Sequence, residues 1–140
     1  MAKVVIDANI IISAAFGGKP LEAAVKAMGK HDVYISEKIE QELTLVLSKL
    51  SQKLTEEQLA YAQDKICELI KRATRVKVSV CVILSRDAKD DHYLSLCKEI
   101  KADFLVTGDK DLLSIARDAL TNEGIQTRIL NPREFLEAAD

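Results

Sequence analysis

The sequence has few cysteines, few aromatic residues and no long apolar run, and these shortages exclude several classes of protein. Its three cysteines, Cys67, Cys81 and Cys97, are odd in number and widely spaced, which fits neither a disulfide framework nor a zinc-binding pattern. We expect reduced core thiols in a cytoplasmic protein. No apolar run reaches the roughly 20 residues of a membrane span. The acid at Asp7 comes too early for a secretory signal.

Neither sign of charge dominates, because 20 Lys and Arg face 22 Asp and Glu, for a net charge of −2. No general basic field therefore marks the chain as a nucleic-acid binder, yet acids gathered around a metal would lower the net charge and leave a local basic track intact. The densest basic group comprises Lys71, Arg72, Arg75 and Lys77. This group is a candidate RNA contact, and an ordinary solvated surface explains it at least as well. Aromatic residues make up only 4% of the chain, so base stacking is not a strong theme.

The order of secondary structure predicts the fold class. The 140 residues, 48% of them hydrophobic, suit one compact domain over 1–140. Strands are predicted at 3–7, 33–35, 76–84, 103–107 and 126–130. Helices are predicted to begin at Pro20, Ser36, Thr55, Asp90, Asp109 and Asn131, the fifth of them ending at Gly124. Strands that alternate with helices in this way predict an α/β fold with a mainly parallel sheet covered on both faces.

Acidic residues gather where this fold would place a ligand site. In open parallel sheets, ligands bind beyond the carboxyl ends of the strands, and Asp7 and Asp109 follow the first and fourth predicted strands. Glu42 lies on the helix after the second strand, and Asp90 and Asp91 open the helix before the fourth. Taken singly, an acid at such a position is more often a turn or helix cap than a ligand. Their joint occurrence in this order is far more specific.

The chemistry of such a cluster points to a divalent cation. Carboxylates about 4–6 Å apart raise each other's pKa, so the cluster is stable and ionised only if a cation neutralises it. Ligands that are all oxygen select hard ions such as Mg²⁺ or Mn²⁺. These ions suit phosphodiester hydrolysis, because they activate water and stabilise the charge on the phosphate and the leaving oxygen. That mechanism needs no histidine or cysteine, and the chain has only His31 and His92.

Several segments carry a resemblance to a known family. They are Val4-Val5-Ile6-Asp7-Ala8-Asn9, then Ser36-Glu37 leading to Glu42-Leu43, then the stretch 87–94 (DAKDDHYL) and the stretch 102–113 (ADFLVTGDKDLL). With these motifs the chain resembles PIN-domain ribonucleases, of the kind found as toxin components of bacterial and archaeal toxin–antitoxin pairs. The resemblance runs along nearly the whole chain. It implies a three-layer α/β/α fold around a central, mainly parallel, five-stranded sheet.

The resemblance also implies which residues form the site. The expected acidic quartet that binds Mg²⁺ or Mn²⁺ consists of Asp7, Glu42, Asp91 and Asp109. Asn9 and Thr107 would be supporting polar residues that orient the acids, and Asp90 and Asp111 are further candidate ligands. All four quartet positions are acidic here, so nothing in the sequence indicates an inactive copy.

The roles follow from the same resemblance. Asp7 and Asp91 would hold the principal ion, and Asp109 would hold that ion or a second one. Glu42 would bind metal or help to deprotonate the attacking water. Water, rather than the RNA 2′-hydroxyl, would attack, which leaves a 5′-phosphate and a 3′-hydroxyl. Beside these acids, we expect Tyr93 to pack in a helix interface and His92 to lie at the surface.

The resemblance to toxins further implies a small antitoxin partner and a homodimer. The apolar faces of the helices at 37–50 and 55–74 are candidate contact surfaces, and core packing explains them equally well. Other functions stay open at this point. The chain could be a non-catalytic PIN-like binding module or a stand-alone RNA-processing nuclease. Haloacid-dehalogenase-type phosphatases also place an Asp after a first apolar strand, but Asn9 stands where their second Asp would act as an acid. Receiver domains would need paired acids there. Gly17-Gly18 is too weak a signal for a nucleotide-binding loop.

Overall fold

A computed structural model describes residues 1–84 and 87–138. Its five strands are β1 (Lys3–Ile6), β2 (Asp32–Ser36), β3 (Thr74–Val76), β4 (Phe104–Val106) and β5 (Arg128–Leu130). The α-helices described are α1 (Ala8–Ala14), α2 (Gly18–Lys30), α3 (Glu37–Leu50), α4 (Glu56–Arg72), α5 (Asp91–Ile100), α6 (Lys110–Leu113), α7 (Arg117–Asn122) and α8 (Pro132–Ala138). A 3₁₀ turn (Ala88–Asp90) precedes α5.

The sheet has the strand order β3-β2-β1-β4-β5, and every pairing in it is parallel. β1 is central, because Val5 pairs with Tyr34 of β2 on one side and with Leu105 of β4 on the other. Val4 and Val5 have no exposed surface, as expected for a strand covered on both faces. The predicted three-layer α/β/α fold is confirmed. Since all strands are parallel, all their carboxyl ends lie at one edge, which is where the acids follow β1 and β4.

Helix starts agree closely with the sequence signals. Ser36 caps α3, since its hydroxyl accepts a hydrogen bond from the Ile39 N–H. Thr55 and Gln58 form the predicted capping box at the start of α4. These caps satisfy N–H groups that have no partner within the helix. They fix where α3, which carries Glu42, leaves the edge of the sheet.

The predicted strand at 76–84 is wrong for most of its length. β3 ends at Val76, and residues 77–84 form no regular element. Their backbone N–H groups bond instead to side chains on α5: Ser79 to Glu99, Val82 to Ser95 and Leu84 to Asp91. The apolar pattern does indicate burial, because Val82 is buried. The segment, however, bonds to helix side chains and does not pair with a neighbouring strand. The sequence also predicts a turn at Ser85-Arg86-Asp87, and its first two residues lie outside the described residues.

Two helices also differ from their predictions. A short helix, α1, follows β1 directly, and its continuous run of three isoleucines (10–12) hid the helical period. The helix predicted from Asp109 to Gly124 is broken between α6 and α7. Arg117 lies at the start of α7, and its guanidinium donates hydrogen bonds to the carbonyls of Ile125 and Thr127. These bonds hold the start of α7 next to the segment that leads into β5, which accounts for the break.

The cysteines are only partly as expected. Cys97 is buried, and burial raises its pKa to about 12, so it is a core thiol. Cys67 and Cys81 are exposed, so the prediction of core thiols is wrong for both. Each lies next in sequence to a buried apolar residue, Ile66 or Val82. Within residues 1–84 and 87–138, no helix has the length and apolar character needed to cross a membrane.

Candidate active site

Asp7 is the most firmly held acid of the site. It follows β1 and caps α1, where its Oδ1 accepts a hydrogen bond of 2.9 Å from the Asn9 N–H. Its Oδ2 accepts one of 2.6 Å from the Thr107 hydroxyl. The residue is only 3% exposed. The first of these contacts comes from the Asn9 backbone, and a supporting role for the Asn9 side chain stays a prediction.

Thr107 connects the ends of β1 and β4. Its hydroxyl donates to Asp7 and accepts a 3.0 Å hydrogen bond from the Asp109 N–H. Asp109 in turn caps the short helix α6, with Oδ1 accepting from the Asp111 N–H at 2.8 Å. One buried hydroxyl therefore fixes the spacing between the two acid-bearing turns. Asp111 is joined to Asp109 through its backbone.

Asp90 lies beside Asp109, at the end of the 3₁₀ turn before α5. Burial, the neighbouring Asp109 carboxylate and the charges of Asp87 and Asp7 together raise the pKa of Asp90 to about 7. Its Oδ2 is enclosed and has no hydrogen-bond partner within the part of the chain that the structure describes. Asp7, Asp90 and Asp109 therefore form a group of carboxylates that a nearby positive charge would stabilise. We call these three residues the acidic cluster.

Asp91 has a structural contact of its own. Its Oδ1 accepts a 3.1 Å hydrogen bond from the Leu84 N–H, and its backbone carbonyl accepts from the Ser95 hydroxyl. Asp91, Ser95 and Glu99 lie four residues apart, on one side of α5, and together they hold segment 77–84. The contact with Asp109 belongs to Asp90. The assignment of Asp91 to the metal-binding quartet stays a prediction.

Glu42 forms hydrogen bonds with two neighbouring residues of α5. The Tyr93 hydroxyl lies 2.6 Å from Glu42 Oε2, and His92 Nε2 bonds to Oε1. The Tyr93 hydroxyl also lies 3.2 Å from Asp7 Oδ1 and accepts from the Ala8 N–H at 3.0 Å. Tyr93 therefore links Glu42, on α3, to the acidic cluster at the end of β1.

The contacts around Glu42 also set its protonation. Burial by itself would raise the pKa of Glu42, but the hydrogen bonds from His92 and Tyr93 outweigh that effect and lower the pKa. The pKa of Tyr93 is raised by burial, by the charge of Asp7 and by its bond to Glu42, so the phenol keeps its proton. Glu42 is thus an ionised carboxylate, held by a neutral phenol and an imidazole.

Comparison with known proteins identifies the family. A family model of the PIN domain matches residues 3–111, which include the acids at 7, 42, 90, 91 and 109. The chain belongs to the PIN domain family. A search of curated proteins finds no match to it.

Solved structures share the fold of this PIN domain. PAE2754 from Pyrobaculum aerophilum is 14% identical, with a TM-score of 0.64 over 97% of this chain and 88% of that one. VapBC2 from Rickettsia felis, solved bound to a DNA fragment from their promoter, is 16% identical, with a TM-score of 0.57 over 92% and 97%. FitAcB from Neisseria gonorrhoeae is 17% identical, with a TM-score of 0.54 over 93% and 98%.

Two residues of the PIN domain, Tyr93 and His92, contact the acids of the site in ways that the sequence did not indicate. Tyr93 packs in the interior as expected, since it is 1% exposed, but its hydroxyl joins Asp7 to Glu42. The expectation that His92 lies at the surface is wrong, because only 16% of its side chain is exposed. A buried tyrosine beside two acids was the available signal, since a buried phenol needs a hydrogen-bond partner.

Three of the four predicted RNA-contacting cations have different surroundings on the PIN domain. Arg75 makes an ion pair with Glu40 at 2.6 Å. Arg72 lines a groove between α2 and α4. Lys77 lines a different cavity, beside His92. The structure therefore places only Lys77 of these three close to the residues that hold Glu42.

The donor set of the site fits a hard divalent cation. The acidic cluster and Glu42 offer carboxylate oxygens alone, which Mg²⁺ and Mn²⁺ prefer, and the enclosed Asp90 Oδ2 is a donor site still lacking a partner within the described residues. Among residues 1–84 and 87–138, no group of three or more His, Cys, Asp or Glu side chains has an arrangement that could hold a metal ion. The acids are close in the fold, but within these residues no metal-binding arrangement is preformed.

Proposed function

We propose that this PIN domain is a metal-dependent endoribonuclease that hydrolyses RNA phosphodiester bonds, and that it is the toxin component of a toxin–antitoxin pair. One observation carries the nuclease proposal: Asp90 lies against Asp109 and near Asp7, with its pKa raised to about 7. A group of acids this close costs stability, and proteins keep such groups mostly at functional sites. A bound cation would relieve the repulsion.

Asp7, Asp90 and Asp109 would hold the cation. When bound, Mg²⁺ or Mn²⁺ would lower the pKa of a coordinated water and offset the charge of the phosphate. Asp7 is fixed by Thr107 and Asn9, so it provides the rigid member of the set. Asp91 remains the alternative to Asp90, as the resemblance implies.

Glu42 would serve as the base or an additional ligand. It is ionised and half-buried, and its two oxygens are oriented by Tyr93 and His92. A carboxylate held in this way can accept the proton of an attacking water without first having to reorient. Attack by water would leave a 5′-phosphate and a 3′-hydroxyl on the RNA.

The toxin role is supported by the motifs that resemble toxin components and by the fold shared with VapBC2 and FitAcB. It would require an antitoxin protein that occludes the acidic cluster. A homodimer is part of the same proposal. Its candidate contact surface lies on α3 and α4, where Leu45 and Tyr61 are 61% and 55% exposed.

The test is cleavage of end-labelled RNA by purified protein with Mg²⁺, Mn²⁺ or EDTA, alongside the Asp7→Asn variant. We expect cutting that depends on the metal, products with a 5′-phosphate, and loss of cutting in a variant that remains folded by circular dichroism. Folded protein that binds the metal and cuts none of several structured and single-stranded RNAs would instead favour the non-catalytic binding module.

A further inference from the structure

A cavity of about 350 Å³ lies next to the residues that hold Glu42. Its wall is formed by the start of α3, residues 76–80 and one side of α5. The polar lining residues are Ser36, Glu37, Lys38, Lys77, His92 and Ser95. The volume falls at the lower end of the roughly 300–1,000 Å³ that ligand pockets occupy. We call it the α3–α5 cavity.

Two cations at this cavity, Lys38 and Lys77, make no ion pair with another described residue. Nearby Arg75, by contrast, is paired with Glu40. Glu37 is the acid of the lining, and its Oε1 is turned along the helix toward Gln41 at 3.5 Å. The lining therefore offers two positive charges for a ligand, in a protein whose net charge is −2.

Lys38 occupies a position that helix stability alone does not favour. It lies in the first turn of α3, where the helix dipole is positive and repels a cation. It also precedes Glu42 by four residues, so both lie on one side of the helix, and its charge helps to lower the pKa of Glu42. The cavity and the proposed catalytic carboxylate thus share one side of α3 and one residue of α5, His92.

We propose that the α3–α5 cavity is a substrate subsite that binds the phosphodiester backbone of single-stranded RNA next to the bond to be cleaved, through Lys38 and Lys77. This inference rests on the proposed nuclease function and deepens it. Carboxylates of the acidic cluster repel a polyanion, so an RNA strand needs positive charge within one or two nucleotides of them. The two lysines supply it, and the first turn of α3 adds the positive end of its dipole.

The test compares RNA binding by the wild-type chain and by the Lys38→Gln/Lys77→Gln variant in EDTA, where no metal-dependent cleavage occurs. The probe is a fluorescein-labelled mixed-sequence RNA of about 12 nucleotides, a length within the range of single-strand sites. Fluorescence anisotropy gives Kd at several salt concentrations between about 50 and 200 mM. We expect the slope of log K against log salt to become shallower by about 1.4, or roughly 0.7 for each phosphate that the variant no longer neutralises.

The matched control is Lys49→Gln/Lys53→Gln, which removes the same charge at the end of α3 and in the turn after it. Lys49 lies roughly 16 Å along the helix from Lys38. The slope of this control should stay within error of wild type. Equal slopes for wild type and the cavity variant would overturn the subsite and leave the nuclease proposal standing. A shallower slope in the cavity variant without cleavage by wild type in Mg²⁺ or Mn²⁺ would keep the RNA contact at Lys38 and Lys77 but overturn the nuclease, and with it the placement of that contact beside a cleaved bond. No RNA binding by wild type would overturn both.

Discussion

Asp90 and Asp109 lie against each other at the carboxyl edge of the sheet, and burial together with this proximity raises the pKa of Asp90 to about 7. Two carboxylates that share a site in this way cannot both be charged at no cost. In the folded chain without a cation, Asp90 therefore either keeps its proton or, when ionised, repels the Asp109 carboxylate. The relationship makes the stability of the protein sensitive both to pH and to a bound metal.

Removing the charge of Asp90 should stabilise the metal-free protein at high pH. The ordinary pKa of an aspartate is 3.8 and that of folded Asp90 is about 7. Between these values the folded state holds a proton that the unfolded state has lost, so the free energy of unfolding falls as pH rises through this window. In EDTA at pH 8, the Asp90→Asn variant should melt above wild type, by about 2–4 °C for each kcal/mol of stability gained, and near pH 4 the two should coincide. A wild-type advantage at pH 8 would contradict the raised pKa.

Replacing Asp90 should affect cleavage, whereas replacing the neighbouring Asp91 should affect stability. Asp90→Asn should lose metal-dependent cleavage while keeping the fold, because it removes charge from the acidic cluster. Asp91→Ala should lower the free energy of unfolding by about 0.5–1.5 kcal/mol, because the Leu84 N–H loses its acceptor. Urea denaturation measures the second effect.

Asp91→Asn, which keeps an oxygen for Leu84, is the matched variant for activity. If it retains cleavage, Asp90 is the third acid of the site. Loss of cleavage in Asp91→Asn together with full activity in Asp90→Asn would return the assignment to Asp91, the residue indicated by the family resemblance.

The Tyr93 hydroxyl should matter more for activity than for stability. Tyr93→Phe keeps the buried ring but removes the hydrogen bonds with Glu42, Asp7 and the Ala8 N–H. Groups that orient a site in this way typically change activity or metal affinity by about 10–100-fold. We expect kcat to fall within that range, and the pKa of Glu42 to rise because its ionised form has one hydrogen bond fewer.

The pH profile of cleavage checks this role. A merely structural tyrosine would lower the melting temperature and leave the acid limb of the profile in place. In Tyr93→Phe we expect the acid limb to shift upward in pH. An unchanged profile with unchanged kcat would show that the hydroxyl does not position Glu42.

Much of the fold was predictable because local signals and burial agree. Ser36 and Thr55 begin helices as their side chains require, and the apolar run Val4-Val5-Ile6 marks the central strand. Residues 77–84 escaped prediction because their partners are side chains of α5, such as Ser95, and no pattern within the segment announces that. Neighbours distant in sequence decide whether an apolar stretch joins the sheet.

The site was predictable as a set of acids but not in its connections. Asp7 and Asp109 follow strands, so the topology brings them together. The choice between Asp90 and Asp91 depends on how the 3₁₀ turn leads into α5, and adjacent residues carry the same sequence signal. The bond from His92 to Glu42 joins residues 50 positions apart, which no local spacing encodes.

The central claim is that the acidic cluster takes up a divalent cation, and calorimetric titration of the metal-free chain with Mn²⁺ tests it most directly. At pH 6.5, in buffers of different ionisation enthalpy, we expect saturable binding with release of protons, because Asp90 must give up its proton to bind. At pH 8.5 the release should shrink, and Asp7→Asn should bind far more weakly at both pH values. No saturable Mn²⁺ binding by folded wild-type protein, or binding that Asp7→Asn leaves unchanged, would contradict the account.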